Sequence, residues 1–383
     1  MTSLNIAIVV RLFSPSGGLE LYALRLVQGL LQRGHRVTVI CQTDESGLSH
    51  HNLTIKTFDQ APRGISKSAR LVHIYNAASA LLASSGPFDL VHSQHCPVKG
   101  ADLVTFHQHT AKRFSFSGYP AERLINEYKL ATNDAYKTRM QQDGDLAKST
   151  KMRIFVSQIC KRDYYETYNL DDAPYAIAPC GADSQSEYDI SQKVQAQPFN
   201  YLFIGKGYRK KGLDTLYTAC DLLKKQGLKF KLTVVGLRAS LFNKLTAGMH
   251  GIADCVEFAG YQKDLKPFQE NASVIVVPSK CEAFGMSPVE AMLFGVPAIV
   301  SSVAGVSELL NDGIDGLVLK DHLSAKELAQ HMQQLQSDPA MLKSMQIKAR
   351  AKAKQLTWDK TVDATITAYQ KLLKSEVGTN ENR

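Results

Sequence analysis

Two glutamates with seven residues between them stand out in the stretch SKCEAFGMSPVEAMLFGVPAIVSS, residues 279–302. Glu282 precedes a Gly-Met-Ser-Pro run, and Glu290 follows it. A carboxylate can accept hydrogen bonds from the vicinal hydroxyls of a ribose or a hexose. The spacing therefore suggests a sugar site. The alternative is an exposed acidic loop followed by a glutamate that the helix dipole favours.

The residues between the glutamates predict a helix start. Ser287 suits the N-cap, Pro288 the first helical position and Gly295 the helix end. The amides of Gly285, Met286 and Ser287 would then carry partial positive charge and favour an anion such as phosphate.

A second stretch, FIGKGYRKKGLDTLYTA at residues 203–219, combines glycines with cations. Gly205, Gly207 and Gly212 would let the backbone approach a ligand closely. Lys206, Arg209, Lys210 and Lys211 could neutralise a diphosphate. GxxxxGK[ST] is absent, so this is not a P-loop. The alternative is a solvated basic loop.

Two weaker patterns lie in the first half of the chain. Gly17 and Gly18 in SPSGGLE separate a first strand from a first helix, where they suit a phosphate or acceptor contact. His92, His95 and Cys96 in VHSQHCP are residue types that bind metals, but their spacing matches no zinc pattern. We therefore expect no metal.

Alternating strands and helices must position these residues. NIAIVVR is predicted to be a buried strand, and RVTVIC a second strand. Residues 19–34 between them are predicted to form an amphipathic helix that stops at Gly34. Strand, helix and strand in this order make a βαβ unit and therefore a parallel sheet. Helices are expected near 67–84, 120–148 and 158–168, and over most of 323–374, before a disordered-looking tail, SEVGTNENR. The predicted strands are 5–11, 36–41, 88–93, 102–106, 152–157, 200–205, 230–236, 254–260, 272–279, 296–302 and 316–319, and 175–183 is predicted to be a strand that leads into a loop.

The polar segment 184–198 predicts a linker between two similar α/β halves. The expected organisation is one α/β domain over 1–183, a second over 199–355 and a C-terminal helix over 356–375. Ligands of such folds bind at the carboxyl ends of strands, here in a cleft between the halves.

Composition agrees with a soluble globular protein. The 383 residues suggest two domains, with 44% hydrophobic and 21% charged residues and a net charge of +9. Seven scattered cysteines without a CxxC pair favour a reduced cytosolic compartment. The apolar run near the N-terminus is too short for a signal peptide, and no stretch approaches a membrane span. Nucleic-acid binding has the charge but no recognition motif.

The stretches VPSKCEAFGMSPVEAMLFGVPAIVSSVAGVSELLNDGIDGLVL, FIGKGYRKKGLDTLYTA and SGGLE together resemble retaining glycosyltransferases of the large family 4, which have the GT-B fold of two Rossmann-like domains. The resemblance spans nearly the whole chain and is strongest over 200–320. It implies an enzyme that uses a nucleotide diphosphate sugar as co-substrate and needs no divalent metal. It also implies that the acceptor binds the domain over 1–183 and the nucleotide sugar the domain over 199–355, and that the helix over 356–375 crosses back to the N-terminal domain.

The resemblance also implies roles for individual residues. Glu282 would contact the hydroxyls of the donor sugar, and Glu290 the nucleotide ribose. Gly285, Met286 and Ser287 would offer amides to the sugar and the phosphates. Arg209 and Lys211 would bind the diphosphate. Many members of the family have an arginine directly after the glycine that ends the strand, here Gly205, whereas this chain has Lys206. Whether Lys206 or Arg209 takes the role of that arginine stays open.

Further positions follow from the same family. Tyr261 would frame the base, with Arg238 nearby, and Gly17 and Gly18 would approach the diphosphate or the acceptor. His107 in LVTFHQHT falls where the family often has a histidine near the reacting sugar, although His109 competes for this assignment. Either histidine could also be an ordinary polar loop residue.

The stretches VVRLFSPSGGLELYALRLVQGL, ADLVTFHQHTAKRF and GYRKKG look like those of bacterial lipopolysaccharide-core glucosyltransferases. These imply UDP-glucose as donor, an inner-core heptose as acceptor and a place at the cytoplasmic face of the inner membrane. Lys112, Arg113, Arg123 and Lys129 suit a phosphorylated acceptor and an anionic membrane, unless they are plain solvated charges. The alternatives are a transferase for another cell-surface glycan, a sugar-nucleotide epimerase and a non-catalytic nucleotide-sugar-binding protein.

Overall fold

The computed structural model describes residues 3–116, 118–170, 173–183 and 188–380. The chain forms two compact units. The first contains the chain up to Phe116, Pro120–Gly181 and the chain from Trp358 onward, and the second contains Ala182–Thr357 together with Gly118 and Tyr119.

The first unit alternates strands and helices. Its strands are β1 (Asn5–Val9), β2 (Leu12–Phe13), β3 (Arg36–Cys41), β4 (Thr43–Asp44), β5 (Leu53–Thr57), β6 (Leu90–Gln94), β7 (Leu103–Phe106), β8 (Met152–Phe155) and β9 (Tyr175–Ile177). Its first six helices are α1 (Gly18–Gln32), α2 (Lys67–Ala83), α3 (Ala111–Phe116), α4 (Pro120–Thr132), α5 (Asp134–Ser149) and α6 (Gln158–Tyr168).

Seven of these strands form one parallel sheet in the order β5-β3-β1-β6-β7-β8-β9. Ile8 pairs with Val39 on one side and with His92 on the other. From Ile6 to Val9, β1 is an uninterrupted buried apolar run, as expected for a parallel sheet that helices cover on both faces. After β5 the chain returns to the other side of β1, so the strand order reverses between β1 and β6.

The second unit repeats this plan. Its strands are β10 (Phe199–Ile204), β11 (Phe230–Val235), β12 (Val256–Gly260), β13 (Val274–Val277), β14 (Ala298–Ser301) and β15 (Gly316–Leu319). Its helices are α7 (Leu213–Lys225), α8 (Leu241–Met249), α9 (Lys266–Glu270), α10 (Met286–Met292), α11 (Ala325–Ser337) and α12 (Pro339–Ala353). The parallel sheet has the order β12-β11-β10-β13-β14-β15, which reverses between β10 and β13.

The core of the second unit lies between this sheet and its helices. Tyr201 and Phe203 of β10 are buried together with Leu216 of α7 and Met332 of α11. The Tyr201 hydroxyl donates to the carbonyl of Met332 at 2.8 Å, so the one polar group of this ring is satisfied inside the core.

The last helix, α13 (Trp358–Asn380), belongs to the first unit, where it packs against α1. Gly29 of α1 makes this close approach possible, since a Cβ there would lie 2.5 Å from Val362 Cγ2. The sequence predicted a disordered tail from residue 375 onward, but this prediction was wrong up to Asn380, because α13 continues through that residue. Residues 381–383 of the tail and 184–187 of the predicted linker lie outside the described residues.

The single helix expected over 120–148 is two helices, which corrects that expectation. The Asn133 side chain caps α5 by accepting from the amides of Ala135 and Tyr136. A capping asparagine adopts extended backbone angles and satisfies amides that a continuous helix would bond internally. Gly34, by contrast, lies just after α1 with φ 81°, as the sequence predicts. Among the described residues, no helix combines the length and apolar content needed to cross a bilayer.

Candidate active site

The predicted donor-site residues of the second unit follow four neighbouring strands. Gly205 to Gly212 follow β10, Arg238 follows β11, Tyr261 follows β12 and Glu282 follows β13. Parallel strands all end at the same edge, so these loops lie at one edge of the sheet. The order reverses between β10 and β13, and ligands of open α/β sheets bind outside the carboxyl ends at such a point.

The loops after β10 and β13 touch each other. Gly212 has φ 73°, and a Cβ there would lie 1.9 Å from the carbonyl oxygen of Pro278. The amide of Lys280 donates to the carbonyl of Lys210 at 3.0 Å. Glycine is therefore required at position 212 both for its backbone conformation and for this close approach.

Lys211 and Glu282 form an ion pair between these two loops. Their side chains keep 29% and 17% of their exposed area, so both are within reach of solvent and of a ligand. Glu282 is held on its other side as well, because its carbonyl accepts from the amide of Gly305 at 3.1 Å. The structure thus brings together a cation and a carboxylate that lie 71 residues apart in the chain.

The helix start after Glu282 differs from the expectation. The N-cap of α10 is Gly285, with φ 92°, and the helix begins at Met286. Ser287 is therefore not the N-cap, and Pro288 is the third helical residue instead of the first. A Cβ at Gly285 would lie 3.2 Å from Glu282 Cγ. Glycine is favoured here by the positive φ, and the Glu282 side chain leaves little room for a Cβ.

Glu290 lies on α10 beside a cavity of about 220 Å³ that Asp183, Lys263 and Leu293 also line. Burial raises the pKa of the Glu290 carboxyl to about 7, and the nearby negative charge of Asp183 adds to the effect. The group is therefore poised between its neutral and charged forms near neutral pH. A carboxyl in this state can both accept hydrogen bonds from hydroxyl groups and donate one.

Lys206 and Tyr261, two exposed members of the predicted set, contact each other. The Lys206 ammonium lies 4.8 Å from the centre of the Tyr261 ring, within range of a cation–π contact. The Tyr261 side chain is 61% exposed. Arg209 and Arg238 are also exposed, at the ends of β10 and β11.

Gly17 and Gly18 stand at the start of α1 in the first unit. Gly17 is the N-cap with φ 105°, and a Cβ there would lie 2.3 Å from Glu20 Oε2. Gly18 is the first helical residue, and both glycines are exposed. The positive φ explains why position 17 favours glycine, whereas the flexible Glu20 side chain could move away from a Cβ.

The two candidate histidines have different surroundings. His109 is buried, and its Nδ1 lies 2.9 Å from the Asp163 carboxylate, which also accepts from the Thr110 amide. His107 packs edge-on against Tyr22 at 4.6 Å, and its Nε2 lies 3.0 Å from Gln94 Oε1. Burial and the neighbouring His95 hold the pKa of His107 well below its usual value, so its ring is neutral.

His92 is a core residue. Its Nδ1 lies 2.7 Å from the Tyr369 hydroxyl and its Nε2 lies 2.8 Å from Thr105 Oγ1. Burial lowers its pKa to about 3. In the part of the chain that the structure describes, no group of three or more His, Cys, Asp or Glu side chains is arranged to hold a metal ion.

Solved structures share this architecture. Sucrose-phosphate synthase from Thermosynechococcus elongatus superposes with a TM-score of 0.76 at 20% identity, over 97% of this chain and 100% of that one. WaaG, a glycosyltransferase involved in lipopolysaccharide biosynthesis, has a TM-score of 0.73 at 20% identity, over 94% and 99%. Anabaena HepE in complex with UDP-glucose has a TM-score of 0.67 at 18% identity, over 98% and 100%.

Two family models divide the chain between them. "Glycosyltransferase Family 4" matches residues 16–186, and "Glycosyl transferases group 1" matches residues 184–354. The chain belongs to the GT-B glycosyltransferases of the family 4 type. A D-inositol 3-phosphate glycosyltransferase of Nocardiopsis dassonvillei is 24% identical over 392 residues, which cover 93% of this chain and 90% of that relative.

Lys280 is a residue next to the candidate site that the sequence patterns did not indicate. Lys280 is 3% exposed, its Nζ lies 2.6 Å from Asp214 Oδ2, and it stacks on the Tyr119 ring at 4.2 Å. It ties the first turn of α7 to the segment that carries Glu282. The only signal was its place two residues before Glu282, since a buried lysine cannot be recognised from its type.

Proposed function

We propose that this glycosyltransferase moves a hexose from a nucleotide diphosphate sugar to a saccharide acceptor with retention of configuration. The observation that carries the proposal is the Lys211–Glu282 pair at the strand-order reversal of the second unit. A cation for the diphosphate and a carboxylate for the sugar hydroxyls are already held against each other there.

Stabilisation of the leaving diphosphate is the main catalytic contribution in this proposal. Lys211 and Arg209 neutralise the charge that develops as the sugar–phosphate bond breaks, with the amides at Gly285, Met286 and Ser287 assisting. Glu282 orients the sugar through its hydroxyls. Glu290 binds the ribose, Tyr261 and Arg238 frame the base, and no divalent metal takes part.

His107 is the better candidate for the residue near the reacting sugar. Its neutral ring can accept a hydrogen bond from a sugar hydroxyl or donate one to it. His109 already holds Asp163 inside the unit, so its ring serves to fix the segment after β7. Gly17 and Gly18 approach the diphosphate or the acceptor.

UDP-glucose is the proposed donor, supported by the structural likeness to HepE, which was solved with UDP-glucose. The proposed acceptor is lipopolysaccharide-core heptose at the cytoplasmic face of the inner membrane, supported by the likeness to WaaG. Because the relative from Nocardiopsis dassonvillei is named a D-inositol 3-phosphate glycosyltransferase, a phosphorylated polyol is the second candidate acceptor.

Helix α4 supports contact with an anionic membrane. Leu124, Ile125 and Tyr128 are 69%, 52% and 71% exposed. The same helix holds two cations, Arg123 and Lys129, and two carboxylates, Glu122 and Glu127, so the net positive charge comes from the neighbouring α3. Lys112 and Arg113 are exposed on the preceding helix α3. Exposed apolar side chains flanked by cations are typical of segments that bind the membrane interface.

The test is a screen of the purified protein with UDP-glucose, UDP-galactose, UDP-N-acetylglucosamine and GDP-mannose, with and without EDTA. We expect one UDP-sugar to bind and to release UDP independently of metal. Glu282→Ala should abolish this release, while Glu257→Ala, at an exposed glutamate of the same sheet, should leave it unchanged. Failure to bind any nucleotide would refute the proposed function, and inversion at C2 of the sugar nucleotide would indicate an epimerase instead.

A further inference from the structure

A cavity of about 380 Å³ in the first unit is lined by four cationic side chains. Arg11 comes from the segment after β1, Lys67 and Arg70 from the first turn of α2, and Arg139 from α5. No carboxylate is among the described residues that line it. The cavity is within the size range of small-molecule sites.

Two helix starts add to this positive charge. Lys67 is the first residue of α2, and Asn133, which caps α5, also lines the cavity. The two helices are held together by a hydrogen bond between the Ser68 and Thr138 hydroxyls at 2.6 Å. Helix starts carry partial positive charge and favour acidic residues in the first turn, yet α2 has none there. Placing Lys67 and Arg70 at this position costs stability, which favours a ligand-binding role.

Three of the four cations have no protein partner within the described residues. The side chains of Arg11, Lys67 and Arg70 form no hydrogen bond or ion pair there, and all three are exposed. Arg139 is held in place, since its Nη2 donates to Gln108 Oε1 at 2.7 Å and its Nε lies 3.6 Å from Asp143 Oδ2. One fixed guanidinium and three available cations thus surround the same space.

The cationic cavity adjoins a second cavity, since Arg11, Leu71, Ile74 and Arg139 line both. The second cavity also contains His95, which follows β6, and Glu20 of α1. It lies at the carboxyl ends of β1 and β6, where the strand order of the first sheet reverses. A ligand could therefore place a charged group among the cations and its uncharged part at the strand ends.

We propose that Arg11, Lys67, Arg70 and Arg139 bind a phosphoryl group carried by the acceptor saccharide. The inference rests on the proposed function and specifies its acceptor as a phosphorylated one. A phosphomonoester suits the cavity because its double negative charge and several acceptor oxygens match guanidinium groups bidentately and helix amides singly. A concave site of this size selects one anionic group, whereas a membrane surface would contact a flat patch.

The test uses the full chain with UDP at saturation, which keeps added phosphate out of the donor site. Glucose 6-phosphate, inorganic phosphate and uncharged glucose are titrated by calorimetry into the wild type, the Lys67→Gln/Arg70→Gln variant and an Arg63→Gln control. Arg63 is an exposed cation just before α2 that does not line the cavity. The substituted side chains are exposed, so the variants are expected to fold.

We expect glucose 6-phosphate and inorganic phosphate to bind the wild type and glucose not to bind. Loss of two charge-assisted contacts should weaken glucose 6-phosphate binding by about tenfold or more in the double variant, against less than about twofold in the control. Absence of phosphate binding to the wild type, or equal binding to the double variant, would overturn the proposal. UDP binding, measured first, decides the proposed function separately.

Two further arms separate the possible sources of the phosphoryl group. If the source is a glycolipid, the wild type should transfer more sugar to phosphorylated core lipopolysaccharide than to the phosphatase-treated form. The double variant should show no such preference. Transfer to a free sugar phosphate with the same dependence would identify a soluble acceptor. If the double variant lost only its sedimentation with phosphatidylglycerol vesicles, the cations would bind a membrane surface and the proposal would be wrong.

Discussion

At the scale of single residues, Lys211 and Glu282 concentrate the proposed chemistry. Lys211→Ala removes the cation that would face the leaving diphosphate, and loss of one such group typically slows transfer by about 100-fold or more. We expect kcat/KM for sugar transfer to fall by that factor in a steady-state assay. Lys210→Ala, at the neighbouring exposed lysine, should change it only a few-fold, and equal losses in both variants would contradict the assignment.

The raised pKa of Glu290 makes the stability of the protein depend on pH. Its pKa near 7 means that the native state keeps a proton that the unfolded chain releases near its ordinary value of 4.5. Stability therefore falls as pH rises from about 4.5 to about 7, with a cost of up to about 3 kcal/mol that is complete above pH 7.

Glu290→Gln removes this titration. We expect the variant to be more stable than the wild type at pH 8 and equally stable at pH 4.5, measured by urea unfolding across that range. Glu257→Gln, which removes a carboxylate from an exposed ion pair with Lys231, is the control for loss of a surface charge. A constant difference between Glu290→Gln and the wild type would contradict the raised pKa.

At the scale of elements, the loops after β10 and β13 depend on glycine. Gly212→Ala would strain a backbone with φ 73° and press its Cβ against the Pro278 carbonyl. We expect a loss of about 2 kcal/mol or more in stability, seen as a lower thermal midpoint, and weaker UDP binding. Gly248→Ala on α8 meets no atom within 4 Å, and its midpoint should be unchanged or slightly higher.

At the scale of the whole molecule, the C-terminal helix completes the first unit. The Tyr369 hydroxyl of α13 lies 2.7 Å from His92 Nδ1 of β6, and both side chains are buried. Tyr369→Phe would leave the imidazole nitrogen without a partner, at a cost of about 1–3 kcal/mol. Chemical unfolding should show this loss, while Tyr128→Phe, at a ring that is 71% exposed, should be neutral.

Local patterns in the sequence were sufficient for most of the elements and for the motif positions, but not for the short strand β5 or for the break between α4 and α5. Apolar runs such as NIAIVV predict buried strands because a parallel sheet covered on both faces excludes water from every side chain, and Gly34 predicts a helix end because glycine tolerates a positive φ. The spacing of Glu282 and Glu290, together with the basic loop, was sufficient for the family. Each of these signals depends on residues that are close together in the chain.

Tertiary structure decided what no local pattern contains. The return of β13 to the side of β10 brings Glu282 to Lys211, and the helices α2 and α5 bring Lys67 and Arg139 to one cavity. It also distinguished His109, bonded to Asp163, from His107, and moved the N-cap of α10 from Ser287 to Gly285. These outcomes depend on burial and on charge pairs between distant segments, because a side chain acquires its partners only once the sheet order has placed them beside it.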